Sequence, residues 1–199
     1  MKNRAFFRWL VISVVLVCTM AGAGVYAKYI SSESVGGSLT IQANLGKIYV
    51  REHKLQRQEN GIYTLNMAEE TDGNSYHLVP GLDVPKDPWV DISGKSNMDA
   101  YVFIKVETNI PADSGVSYQL RDCWVAVAGA EGIYVYSDAN KQPIAVNSDM
   151  NIEILKDNQL IVSQNLKMEG QTYLNFTAAL SQVEAGMDAG LVTALFAAG

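Results

Sequence analysis

The chain has 199 residues, 18% of them charged, and a formal net charge of −6. That length suits one domain with a sizeable core. The acidic balance argues against nucleic acid and anionic membrane as electrostatic partners.

The first residues have the layout of an export leader. Lys2, Arg4 and Arg8 precede an apolar run from Trp9 to Val17, and a small-residue stretch runs from Ala21 to Ala27. A basic region, an apolar region and a Val-x-Ala end predict a signal peptide over 1–27, cut between Ala27 and Lys28. A retained anchor is the alternative, since Trp9 to Val25 is near the lower end of what spans a bilayer. Cys18 follows the bulky Val17, which suits no lipoprotein site. Cleavage removes three of the 15 basic residues and none of the 21 acidic ones, leaving 12 against 21, a net charge of −9. Cys123 is then the one cysteine left, so no internal disulfide is available and stability must come from the core. Beside Trp124 in an apolar run, Cys123 reads as a small buried hydrophobe.

Residues 28–38 are polar and read as a flexible segment and a candidate donor strand; 39–199 read as one β-sandwich domain. Period-two alternation predicts strands at Leu39–Leu45, continuing through Ile48–Val50, and at Ile62–Leu65 and Ala100–Thr108. Further strands are expected at 116–120, 122–128, 133–137, 152–155, 160–163 and 173–182. Val102, Ile104 and Val106 form the purely aliphatic face of their strand and are the expected core face. Glu52–Asn60 is polar and reads as a hairpin tip. Turn signals fall at 71–74, 111–115, 137–140, 156–158 and 168–170. Met187–Ala198 is small and apolar and reads as a short helix. The fold class is therefore all-β, a jelly-roll-like antiparallel β-sandwich with a short C-terminal helix.

The chemistry searched for is sparse. His53 and His77 lie in different polar segments with no HExxH pattern, so no metal ligand set is expected. No nucleophile elbow, P-loop or dinucleotide fingerprint occurs, and no cofactor or catalytic residue is assigned. The acidic loop from Glu69 to Asn74 offers oxygen ligands but lacks EF-hand spacing and reads as a solvated loop. Asn175-Phe176-Thr177 fits a glycosylation pattern inside an expected strand and is set aside. Pro80-Gly81 predicts a turn. Pro85 and Pro88 fix φ and remove ladder donors, so Val84–Pro88 should be extended at an edge or crossover. Lys86 and Asp87 should face different ways and make separate contacts.

The order of these features resembles a known family. Ala27-Lys28-Tyr29 follows a Gly-Ala-rich leader end. Then come Leu78–Pro88 (LVPGLDVPKDP), Trp89–Ile92, Ser96–Ala100 and the strand Tyr101–Val106, with Leu174–Gln182 (LNFTAALSQ) near the end. This resembles the TasA/camelysin-like exported proteins of Gram-positive bacteria, whose leader is cut by a SipW-type signal peptidase. The resemblance makes Pro80, Gly81, Lys86, Asp87 and Pro88 the motif residues. It implies a secreted structural protein of the biofilm matrix or cell surface. It also implies self-association into fibres, with membrane contact only through the uncleaved leader. Tyr29 and Ile30 are the residues expected to add to a neighbour's sheet edge. A monomeric adhesin-like module and a camelysin-like protease are the other readings.

Overall fold

The computed structural model describes residues 30–34, 37–39, 45–59, 62–94, 98–168 and 171–197. The leader, the expected cleavage pair Ala27 and Lys28, and Tyr29 lie outside them. Every strand pairing is antiparallel, and the fold is an all-β sandwich with one short helix.

The spine of the larger sheet is β7 (Ala100–Thr108) beside β14 (Leu174–Gln182), paired from Leu174↔Thr108 to Gln182↔Ala100 without a break. On the outer side of β14 lie β1 (Ile30–Ser34) and then β2 (Gly37–Leu39). On the outer side of β7 lie β10 (Ile133–Tyr136) and β9 (Trp124–Ala126), with β11 (Ala145–Val146) pairing the start of β7. The second sheet has the order β12 (Met150–Glu153), β6 (Trp89–Ser93), β3 (Lys47–Arg57), β4 (Tyr63–Thr71). A small third sheet joins β5 (Val84–Pro85), β13 (Gln159–Val162) and β8 (Val116–Ser117).

The sandwich core lies between the first two sheets. Ala100, Val102 and Ile104 of β7 and Phe176, Ala178 and Leu180 of β14 pack with Ile48, Val90, Ile92 and Ile152 of the second sheet. Val102 and Ile104 are buried here, as their aliphatic face predicts, and Val106 packs at the margin. The opposite face of β7 is buried as well, which the alternation alone does not reveal. Phe103, Ala179, Ile133 and Val135 meet Val192 and Leu195 of α1 (Ala189–Leu195). That helix starts at Asp188, whose side chain accepts from the N–H groups of Gly190 and Leu191, an N-cap.

Three expectations change. Glu52–Asn60 is not a hairpin tip: β3 runs on to Arg57, and the hairpin closes where Gln58 N–H donates to Ile62 O at 2.8 Å. The row Ile48, Val50, Glu52 points inward, and Glu52 continues it because a lysine meets its charge. Of the expected first strand Leu39–Leu45, Leu39 closes β2, Leu45 is a buried turn residue, and 40–44 lie outside the described residues. Residues 30–34, expected to be flexible, pair with β14 of the same chain from Ile30↔Ser181 to Glu33↔Ala178.

These contacts set the response of β7 to truncation. Ile104→Ala should cost about 2–5 kcal/mol and Phe103→Ala about 3–5 kcal/mol, since each empties a closed core. Lys105, whose ammonium pairs with Glu107 at the surface, should lose no more than about 0.5 kcal/mol as Lys105→Ala. Urea unfolding measures all three, and equal losses at 104 and 105 would reverse the face assignment.

Candidate functional site

The motif residues separate into two places. Pro80 and Gly81 form a turn in which Leu82 N–H donates to Val79 O at 3.1 Å. Proline fixes the first corner and Gly81, at φ +76°, supplies the left-handed second corner. Any Cβ there would lie 2.1 Å from the Gln164 side chain. Lys86, Asp87 and Pro88 sit elsewhere, where the chain crosses from the third sheet to the second. Val84 pairs with Leu160, Lys86 N–H donates to Asn158 O, and Pro88 O accepts from Ile154 N–H before β6 begins. The prolines thus stand at an edge strand and a crossover, as their missing N–H groups require.

The two adjacent charges of this crossover reach two adjacent residues of β3. Lys86 Nζ donates to Glu52 Oε2 at 2.8 Å, with both side chains buried. Asp87 turns the other way: its Oδ1 accepts from His53 N–H at 3.1 Å and its Oδ2 meets His53 Nδ1 at 2.5 Å. The His53 backbone lies just beyond the last β3–β6 pair, Arg51↔Trp89, so the Asp87 carboxylate extends the ladder by one hydrogen bond. Trp89 packs its ring on His53 with centroids 4.7 Å apart.

The other side of β3 carries a bulge. Its register with β4 jumps between His53↔Glu70 and Lys54↔Asn66. Asn74 bridges the gap with its side-chain amide, which accepts from Leu55 N–H at 2.8 Å and donates to His53 O at 2.9 Å. The expected loop from Glu69 to Asn74 begins inside β4, and two of its three acids are paired. Glu69 pairs with Lys54, and Glu70 with Arg51, which also binds Asp91.

Tyr76 completes the cluster. Its OH lies 3.4 Å from both Glu52 Oε2 and Lys86 Nζ, and its ring faces the ammonium at 5.3 Å. Burial, and next the charge of Glu52, push the Tyr76 phenol far above its ordinary 10.0. It therefore stays a neutral donor. A cleft of about 530 Å³ opens beside Glu52, Tyr76 and Lys86, bounded by the 72–78 loop, Ile110, Leu166, Met168 and the start of β14.

The pattern supplies positioned charge but no nucleophile. His53 makes no hydrogen bond to a serine, threonine or cysteine among the described residues. Burial pushes the Cys123 thiol up, which keeps it protonated and inert. His77 is exposed on the 72–78 loop that borders the cleft, with its backbone N–H donating to Tyr63 OH. Among the described residues no group of three or more His, Cys, Asp or Glu could hold a metal ion. Ile30 lies in β1, paired with β14. Sequence reasoning missed Glu52, His53, Asn74 and Tyr76. The signal for Glu52 was its place in the i, i+2 row begun by Ile48 and Val50.

Removing one member of the buried pair leaves an unpaired charge. Lys86→Met should therefore cost about 3–5 kcal/mol, and the double change Glu52→Leu, Lys86→Met should recover most of it. Urea unfolding of the three proteins decides; a double mutant as weak as the sum of the singles would show that pairing is not what matters. Tyr76 gives a pH signature. Its phenol keeps its proton in the folded state above the pH at which the unfolded chain releases it. The contribution of Tyr76 to stability should therefore be level below about pH 10 and fall as pH rises further. Tyr76→Phe should flatten that alkaline limb in urea melts taken across the range.

A scan against family models and searches of curated proteins and solved structures find no match to this chain.

Proposed function

We propose that the chain is an exported structural protein of an extracellular matrix or cell surface, assembling into fibres by exchange of its first strand. The leader-like 1–27 segment supports export. The LVPGLDVPKDP element and the AYVFIKV and LNFTAALSQ strands support kinship with TasA/camelysin-like proteins, whose resemblance implies this role. The observation that carries the reading is β1. It begins just after the expected N-terminus at Lys28 and lies along β14 through backbone pairing from Ile30↔Ser181 to Glu33↔Ala178. A strand held by its backbone can be replaced by the same strand of another copy, because the ladder and register are identical. Each copy then gives one strand and receives one. Passed from copy to copy head-to-tail rather than reciprocally, that contact does not close on itself and builds filaments.

The Lys86–Glu52 and Asp87–His53 contacts fit a structural role for the motif: they tie a crossover to β3 and leave no side chain poised for attack. For a camelysin-like protease reading, the described residues offer no metal ligand set and no nucleophile hydrogen-bonded to His53. Assembly is tested by comparing protein beginning at Lys28 with protein beginning at Ser38, using light scattering and negative-stain microscopy. The longer protein should form fibres, and both the shorter one and the leader-bearing precursor should not. Fibres from the protein beginning at Ser38, or none from the protein beginning at Lys28 at any concentration or pH, would rule out exchange of β1.

A further inference from the structure

The cleft beside the buried ion pair contains an unmet hydrogen-bonding demand. Glu52 is 4% exposed, yet its Oε1 has no hydrogen-bond partner among the described residues. A buried carboxylate oxygen left without a donor is costly, and such groups mark a binding partner, water or otherwise. Beside it, Lys86 Nζ has three N–H donors and, among the described residues, two acceptors, Glu52 Oε2 and Tyr76 OH. An acceptor and a donor short of partners among the described residues thus belong to two side chains that line a cleft of about 530 Å³, a size that suits a small ligand.

The chemistry narrows the occupant. Charged side chains lining the cleft are Arg51, Glu52, Asp72 and Lys86, two of each sign. An anion gains nothing from Lys86, already neutralised by Glu52, and a cation gains nothing from Glu52, already neutralised by Lys86. A neutral ligand fits. A peptide N–H only donates and a peptide C=O only accepts, whereas one hydroxyl does both from a single atom. The rim adds an apolar face: Tyr173 is 47% exposed at the cleft, near Leu166 and Met168. Its backbone is held by Asn109 and Thr108, and its half-exposed side chain can cover a ligand. We propose that this cleft binds a neutral saccharide, one hydroxyl lying between Glu52 Oε1 and Lys86 Nζ and a sugar face resting on Tyr173.

The test is ligand-observed saturation-transfer NMR on the purified protein with cellotetraose, chitotetraose and maltotetraose. Tetragalacturonate, chitosan tetramer and a capped tetrapeptide are the comparators. At least one neutral tetrasaccharide should bind at millimolar concentration or below, more tightly than every comparator. Glu52→Gln, which loses the charge on the acceptor, should weaken it about tenfold. Tyr173→Ala should weaken it several-fold with an unchanged melting temperature, and it decides the matter should Glu52→Gln fail to fold. The proposal is overturned if no neutral tetrasaccharide binds, which would make Glu52 Oε1 a water site. Tighter binding of a charged oligomer or the peptide overturns it too, as does binding that Tyr173→Ala leaves unchanged.

Discussion

The unbroken ladder between β7 and β14 is the constraint on which the rest of the molecule depends. It works because large and small side chains face each other across it: Phe103 sits beside Ala179, and Ile104 beside Ala178. The alanines leave room for material on both sides of the sheet. On one side that material is the second sheet, on the other the C-terminal helix. A bulky residue at 178 or 179 would push against a closed core, which resists added volume as firmly as it resists loss. The remaining strands of the larger sheet attach to this pair: β1 to the free edge of β14, β10 and β11 to β7.

The crossover at 86–88 solves a different problem, the joining of two small sheets that share no strand. An ion pair buried between Lys86 and Glu52 adds little net stability, because both charges lose their water. Its effect is on register. Only one alignment of the crossover against β3 meets both charges, with Lys86 on Glu52 and Asp87 on His53. Asn74 imposes the same register from the other flank, through the backbone of His53 and Leu55. Polar side chains, rather than apolar ones, thus fix how β3 is held at the bulge.

The strands whose pattern is local were readable from the sequence. Ala100–Thr108 was placed to the residue, and Tyr173–Gln182 and Ile133–Ser137 to within one. The Pro80-Gly81 turn and the divergence of Lys86 and Asp87 were legible for the same reason: proline geometry and strand alternation act over two or three residues. What was not legible depends on distant partners. Glu52 reads as solvated until a lysine far along the chain is placed against it. Phe103 sits on the face that carries Tyr101 and Lys105, and only a helix from the other end of the chain makes that face a second core. The β3–β4 bulge is invisible in pattern, because Asn66–Glu69 gives no sign that the ladder skips there.

The position of β14 in the chain has a kinetic consequence. A chain made from its N-terminus produces β1 early and β14 almost last, so β1 waits without a ladder while most of the protein is synthesised. Closing that contact spans nearly the whole sequence and is among the slowest events of folding. Once β14 is made, its outer edge stays vacant until a first strand reaches it. Under the proposed strand exchange, its occupant would be set by a contest between the effective concentration of the tethered β1 and the real concentration of other copies. The tether is long, which lowers the first term, and crowding of many copies at one surface raises the second. Sequence order alone therefore couples the fate of this edge to how densely the protein is produced.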